Sequence, residues 1–211
     1  MFKNKISMSE INFYNIDNIE FMKTKPDNYY NLAIVDPPYG IGDKFKGGKN
    51  GKMNFNEVVE KDWDKVPSKE YWDELFRVSK NQIVWGGNYF DLPPSRCFIV
   101  WDKKISEDFT LAMAELAWTS FDKLAKIIRL ATPKTGGKIH PTQKPIKLYR
   151  KVLSMYAEKG FKILDTHGGS FTNAIACDME DYDLDICEID KTYFDNGVKA
   201  FNTYKQQLTM F

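Results

Sequence analysis

The feature that most restricts the fold is a series of short, unbroken apolar runs, each followed by a helical pattern. Residues 11–15, 32–35, 82–85, 97–101, 115–119, 162–164 and 184–187 have the length of strands. Most of these runs do not alternate apolar with polar side chains. Continuous runs of that length are what strands covered on both faces look like. Between them, Ser68 is placed to cap a helix in which Trp72, Leu75, Phe76 and Ser79 fall on one side. Ile146, Tyr149, Val152, Leu153 and Tyr156 recur at three- and four-residue spacing and stop before Gly160. Residues 172–179 and 191–206 predict two more helices. The pattern predicts an α/β fold around a mostly parallel sheet with an antiparallel strand, in one domain spanning 1–211.

Composition removes several classes of function. No run approaches the roughly 18 apolar residues that cross a bilayer, so no membrane is expected. Three cysteines without a CxxC pair, and two histidines, speak against a disulfide framework and against a metal site. A soluble, cytoplasmic protein is the expectation. The formal net charge is +1, from 30 Lys+Arg against 29 Asp+Glu, which first argues against a strongly basic nucleic-acid binder. That neutrality is an average over an uneven chain. Residues 40–53 hold five glycines and the lysines Lys44, Lys46, Lys49 and Lys52. Residues 122–138 hold Lys123, Lys126, Arg129, Lys134 and Lys138 against Asp122 alone. Both segments read as basic, mobile loops.

Three motifs carry chemistry. Asp36-Pro37-Pro38-Tyr39 follows the strand at 32–35, where ligands bind in open α/β sheets. Two prolines stiffen the turn and cannot donate backbone hydrogen bonds. Their carbonyls remain acceptors beside the Asp36 carboxylate, and Tyr39 offers an aromatic face. A planar amine on a ring needs that set of groups; a rigid turn with no further role is the bland reading. The second motif runs from strand 162–164 through Asp165, His167, Gly168, Gly169 and Ser170 into a helix. Glycines there let the backbone approach a ligand. Glu188, 23 residues after Asp165, suits a nucleoside's ribose hydroxyls. Neither GxGxxG nor a GKS/GKT loop occurs, so a dinucleotide or a nucleoside triphosphate fits poorly. The third motif is His140-Pro-Thr142-Gln-Lys144-Pro145 at a helix start. Its proline suits a first helical turn. A lone histidine is more often structural than catalytic, so His140 and its neighbours are expected to shape a wall of the pocket.

In this order the three motifs resemble the DNA amino-methyltransferases of the β (permuted) arrangement, in which the catalytic block precedes the cofactor loop. IVWGGNYF (83–90), FIVWDKK (98–104) and AELAWTSF (114–121) are similar to the small phage-type or solitary adenine methylases of this DPPY family. The resemblance covers nearly the whole chain. It implies a Rossmann-like sheet, S-adenosyl-L-methionine (AdoMet) as cofactor and double-stranded DNA as substrate. The activity implied is DNA methylation, restriction–modification included, at the N6 amino group of a flipped adenine. Cytosine N4 methylation, or a noncatalytic AdoMet- or DNA-binding module, is the alternative. On this resemblance Asp36 and the Pro37 carbonyl hold the amine, Pro38 completes the turn and Tyr39 stacks on the base. Asp165, His167 and Gly168–Ser170 lie against the methionine part of AdoMet, with His140, Thr142 and Lys144 nearby. Glu188 takes the ribose. Asp17 either contacts the cofactor adenine or caps the helix after it. The family's Phe-x-Gly-x-Gly loop is altered here: His167 stands in the Phe place and Phe171 replaces the last glycine, where its side chain stands to crowd the loop.

Residues 40–53 would clamp the strand, through Lys44, Lys46, Lys49 and Lys52. A segment of about 103–138, with Lys123, Lys126 and Arg129, would contact DNA and choose sequence. It is short for a recognition domain, so a homodimer or a short target site is expected. Residues 207–211, QLTMF, look like the peptide by which replication proteins bind a sliding clamp. A tail packed on its own domain is the preferred reading.

Overall fold

The structure, a computed structural model, describes residues 9–41, 64–106, 112–131 and 143–209. Among these residues eight strands join one sheet: β1 (Ile11–Tyr14), β2 (Leu32–Val35), β3 (Gln82–Trp85), β4 (Phe98–Asp102), β5 (Ala114–Thr119), β6 (Lys126–Arg129), β7 (Lys162–Asp165) and β8 (Asp183–Cys187). Their spatial order is β1-β8-β7-β2-β3-β5-β4-β6. Only β5 opposes its neighbours, β3 and β4; the other pairings are parallel.

The unbroken apolar runs have a direct cause. All four residues of β2 and of β3 are buried. Successive side chains point to opposite faces, and both faces are covered. Helices α1 (Asn18–Lys23) and α2 (Lys69–Val78) lay Phe21, Met22, Tyr71 and Leu75 on Ala33, Val35 and Val84. Helices α3 (Ile146–Tyr156), α4 (Thr172–Glu180) and α5 (Lys191–Thr209) lay Leu148, Val152, Ala174 and Phe201 in the layer with Leu32, Ile34 and Ile83. Burying one Leu, Ile or Val side chain is worth about 1.5–3 kcal/mol, so a polar residue at any of these positions has no place to go.

From the central pair β7 and β2 the chain moves outward in opposite directions. It passes from β7 to β8 through α4 on one face and from β2 to β3 through α2 on the other. Such a reversal opens a crevice at the carboxyl ends of the strands. Among the described residues, no helix is long and apolar enough to cross a membrane.

Three expectations change. Part of the 122–138 loop is strand β6, which pairs with β4 from Ile99–Lys126 to Asp102–Arg129. Only Ile128 of its four residues is buried, and an edge strand flanked by charges carries almost no periodic signal. Helix α2 ends at Val78, and Ser79 terminates it, with its hydroxyl donating to the Leu75 carbonyl at 2.5 Å. The helix expected over 191–206 continues as α5 to Thr209, so residues 207–209 are helical, and Leu208 is half-exposed. Met210 and Phe211 lie outside the described residues.

Candidate active site

The crevice is a cavity of about 420 Å³ over the ends of β1, β8, β7, β2 and their following turns. It brings the first two motifs together. Asp36, Pro37, Pro38 and Tyr39 line one end, with Lys144. Asp17, His167, Gly168, Gly169, Ser170 and Glu188 line the rest.

At the far end from the prolines, acids are held by neutral donors, most of them backbone amides. Asp17 caps α1, its Oδ1 accepting from the amides of Ile19 (2.9 Å) and Glu20 (3.1 Å). Its capping role and its place in the cavity wall therefore coexist. Glu188 Oε2 accepts from the Gly169 amide at 2.8 Å and Oε1 from the Asp190 amide at 2.9 Å. Burial raises its carboxyl above the ordinary range. Asp165 sits behind the wall rather than in it, 2% exposed, accepting from the His167 amide (3.0 Å) and the Asn173 side chain (2.9 Å). Burial pushes its pKa up to about 7; the Asn173 bond opposes this, and the charges of Asp36 and Glu188 add to it.

His167 is fixed from both sides. The Asn18 amide donates to Nε2 at 3.1 Å, which leaves the ring proton on Nδ1, 2.9 Å from Thr166 Oγ1. Thr166 in turn meets the Tyr71 hydroxyl at 2.7 Å. Burial pushes the imidazole down to about 3, against a small opposing pull from Asp17, so it is neutral at working pH.

Phe171 stays out of the cavity, although its ring packs closely against the loop: a Cβ at Gly168 would stand 2.4 Å from its Cε1. Its backbone adopts the left-handed conformation (φ 56°) that a glycine would favour, at a cost of about 1–3 kcal/mol. That geometry turns the ring into the core, where it is fully buried and stacks on Phe13 at 5.4 Å.

At the proline end, acids are held by lysines. Tyr39 donates its hydroxyl to Asp36 Oδ1 at 2.8 Å, and burial beside that carboxylate keeps the phenol protonated. Its ring stacks on Tyr89 at 4.9 Å. Gly86, at φ 67°, makes the fit possible: a Cβ there would stand 2.2 Å from Tyr39 Cε1. Lys144 donates to Asp36 Oδ2 at 2.5 Å and lies 3.3 Å from Glu115 Oε2. Sequence reasoning placed Lys144 near the cofactor and missed Glu115. An acid among the apolar neighbours of β5, on the same face as the buried Ala117 and Thr119, was its only signal.

His140 and Thr142 lie outside the described residues, as do Lys44, Lys46, Lys49 and Lys52. The other basic residues do not form one patch. Arg129 pairs opposite Asp102 at the carboxyl edge of the sheet, on the edge strand β6 and away from the cavity lining. Lys126 sits opposite Ile99 at the start of β4, toward the other rim, and Lys123 lies over the rings of Phe121 and Tyr156.

The fold is shared with solved structures. The M1.HpyAVI–SAM complex aligns over 91% of this chain and 99% of its own at 18% identity, with a TM-score of 0.59. The PvuII DNA methyltransferase, cytosine-N4-specific, aligns over 96% and 94% at 15% identity, with a TM-score of 0.60. TTHA0409 from Thermus thermophilus, complexed with S-adenosyl-L-methionine, aligns over 92% and 95% at 16% identity, with a TM-score of 0.57. No curated protein sequence matches. The N6/N4 DNA methylase family model matches residues 82–199, more than half of the sequence. The chain belongs to this family of DNA methylases.

Proposed function

We propose that the protein transfers a methyl group from AdoMet to the N6 amine of an adenine flipped out of double-stranded DNA. One observation carries this reading: the Asp36–Tyr39 turn and the Gly168–Ser170 turn open into the same cavity from the adjacent strands β2 and β7. The donor set fits the cofactor. Backbone-held acids around Asp17 and Glu188 suit ribose and adenine. The donors to the buried Asp165, an amide and an asparagine, are neutral, so a cationic ligand offsets its charge. AdoMet supplies the methyl group on a positive sulfur.

The protein's residues do the rest. Asp36 and the Pro37 carbonyl accept the two amine hydrogens, which moves the nitrogen from planar toward tetrahedral and frees its lone pair for in-line attack; once the N–C bond has formed, one of those hydrogens leaves as a proton to solvent and restores a neutral amine. Tyr39 stacks on the base. This is catalysis by position and electrostatics, with no covalent enzyme intermediate. Unstacking the base costs about a few kcal/mol. Arg129, at the carboxyl edge of the sheet, and the lysines of 40–53 are the proposed DNA contacts, and the permuted order of motifs follows the β arrangement. A homodimer, and a clamp contact through residues 207–211, are proposals of the same reading.

Cytosine N4 is the second reading, favoured by the equal likeness of fold to the PvuII enzyme. Expression in a methylation-free host, followed by nucleoside analysis and sequencing, separates the two. N6-methyladenine at a fixed site is expected; N4-methylcytosine alone overturns the adenine assignment, and no methylated nucleoside overturns the transferase reading.

A further inference from the structure

A row of alternating charges, Asp36, Lys144, Glu115 and Lys103, runs from the proline turn, and the methyl-transfer steps above leave most of it unused. Lys144, its side chain 2% exposed, donates to Asp36 Oδ2 at 2.5 Å. Its ammonium also stands 3.3 Å from Glu115 Oε2 and 5.2 Å from the centre of the Trp85 ring. Glu115 Oε1 takes Lys103 Nζ at 2.6 Å. Glu115 Oε2, by contrast, is buried and has no hydrogen-bond partner among the described residues. The lysine thus hydrogen-bonds one acid while it is only ion-paired, at 3.3 Å, with a carboxylate oxygen of the second.

That arrangement conflicts with what Asp36 has to do. In the transfer step positive charge grows on the target amine, and Asp36 has to accept from it as an anion. Here Lys144 neutralises one carboxylate oxygen, while the Tyr39 hydroxyl donates to the other. The pairing suits a resting site, because a buried carboxylate without a partner is costly. It has to loosen when the amine arrives. The ammonium can do so without leaving its buried place, by turning from Asp36 toward Glu115.

We propose that Lys144 is a shared counter-ion of Asp36 and Glu115, whose hydrogen bond passes to Glu115 Oε2 when the target amine occupies Asp36. Glu115 is the positioning residue of this exchange. No proton moves: the two acids outweigh burial and hold the Lys144 ammonium well above the ordinary lysine range. Lys103 and Lys144 likewise outweigh burial at Glu115 and hold it below the usual carboxylate range. The inference rests on the methyltransferase reading and names a specific device within it.

The test is single-turnover methyl transfer from labelled AdoMet to DNA carrying the site found by sequencing. Glu115→Gln keeps the shape of the second seat and removes its charge. The rate is expected to fall at least tenfold, with AdoMet affinity and thermal midpoint near those of the wild type. Lys103→Met strips Glu115 of its other cation, so Glu115 draws Lys144 harder and the rate should rise. A purely structural role would lower the rate in both variants. An E115Q rate within twofold of wild type, or a fall in both, overturns the proposal. Should either variant fail to fold, a structure of the wild type on DNA with its base flipped decides the matter. Lys144 Nζ nearer Glu115 than Asp36 supports the exchange, and an unchanged contact with Asp36 refutes it. A wild type that methylates no DNA instead removes the underlying reading.

Discussion

The two ends of one cavity treat negative charge in opposite ways. Around β7, β8 and β1, the acids Asp17, Asp165 and Glu188 are held by amides and an asparagine. Around β2 and β5, Asp36 and Glu115 are held by Lys144 and Lys103. Amide donors orient a carboxylate but leave its charge available, which suits a cationic ligand. Lysines cancel the charge, so that end must rearrange before an acid there can act. The largest test of this contrast is a pair of variants. Asp36→Ala is expected to lower single-turnover methylation about 10³-fold while AdoMet affinity, measured by calorimetry, stays near wild type. Glu188→Ala should do the reverse, weakening AdoMet about tenfold or more with near-normal transfer at saturation. If both variants lose affinity alone, or rate alone, the ends are not functionally distinct.

The same contrast marks how far the sequence could be read. The amide-held end is mostly local: Asp165, His167 and Gly168–Ser170 lie within six residues at the end of one strand, Glu188 directly follows the next strand, and Asp17 alone comes from far away in the sequence. A motif of contiguous residues is visible without coordinates. The lysine-held end is assembled from residues 36, 103, 115 and 144, on elements brought together only by the pairing of β3, β5 and β4. Lys144 was legible as part of a motif but its partners were not. Sheet strands were legible where both faces are covered, as in β2 and β3. β6 was not, because one buried isoleucine among lysine, isoleucine and arginine makes no pattern. Phe171 looked like an obstacle since sequence shows the side chain and not the backbone angle that turns it away.

A smaller effect tests whether the charge at the amide-held end is available. Asp165 titrates near pH 7 because burial disfavours its anion. Binding a cation favours the anion, so below pH 7 a proton has to leave as the cofactor enters. On the proposed reading, AdoMet affinity should weaken about fivefold as pH falls from 8 to 6. Asp165→Asn should hold a weaker affinity with a flatter profile. Parallel titration curves for the two proteins would move the ionisation to another group.

The smallest effect lies in stability, where two neighbours oppose each other. The folded-state pKa of Asp165 is raised above 3.8, so between about pH 4 and 7 the native state binds more protons than the unfolded chain, and stability falls as pH rises. The pKa of His167 is depressed from 6.5 to about 3. Between those values the unfolded chain binds more protons, so stability rises with pH. The two windows overlap almost completely, and the slopes cancel where they do. Denaturant titrations of the ligand-free protein should therefore change little from about pH 4 to 6.5 on account of this pair. His167→Asn removes the rising contribution and should leave a stability that declines by about 1 kcal/mol per pH unit across the window. Asp165→Asn should give a rise of similar size. The signs, more than the sizes, carry the point: slopes of the same sign in both variants would mean that the two groups are not buried side by side in the protonation states their hydrogen bonds require.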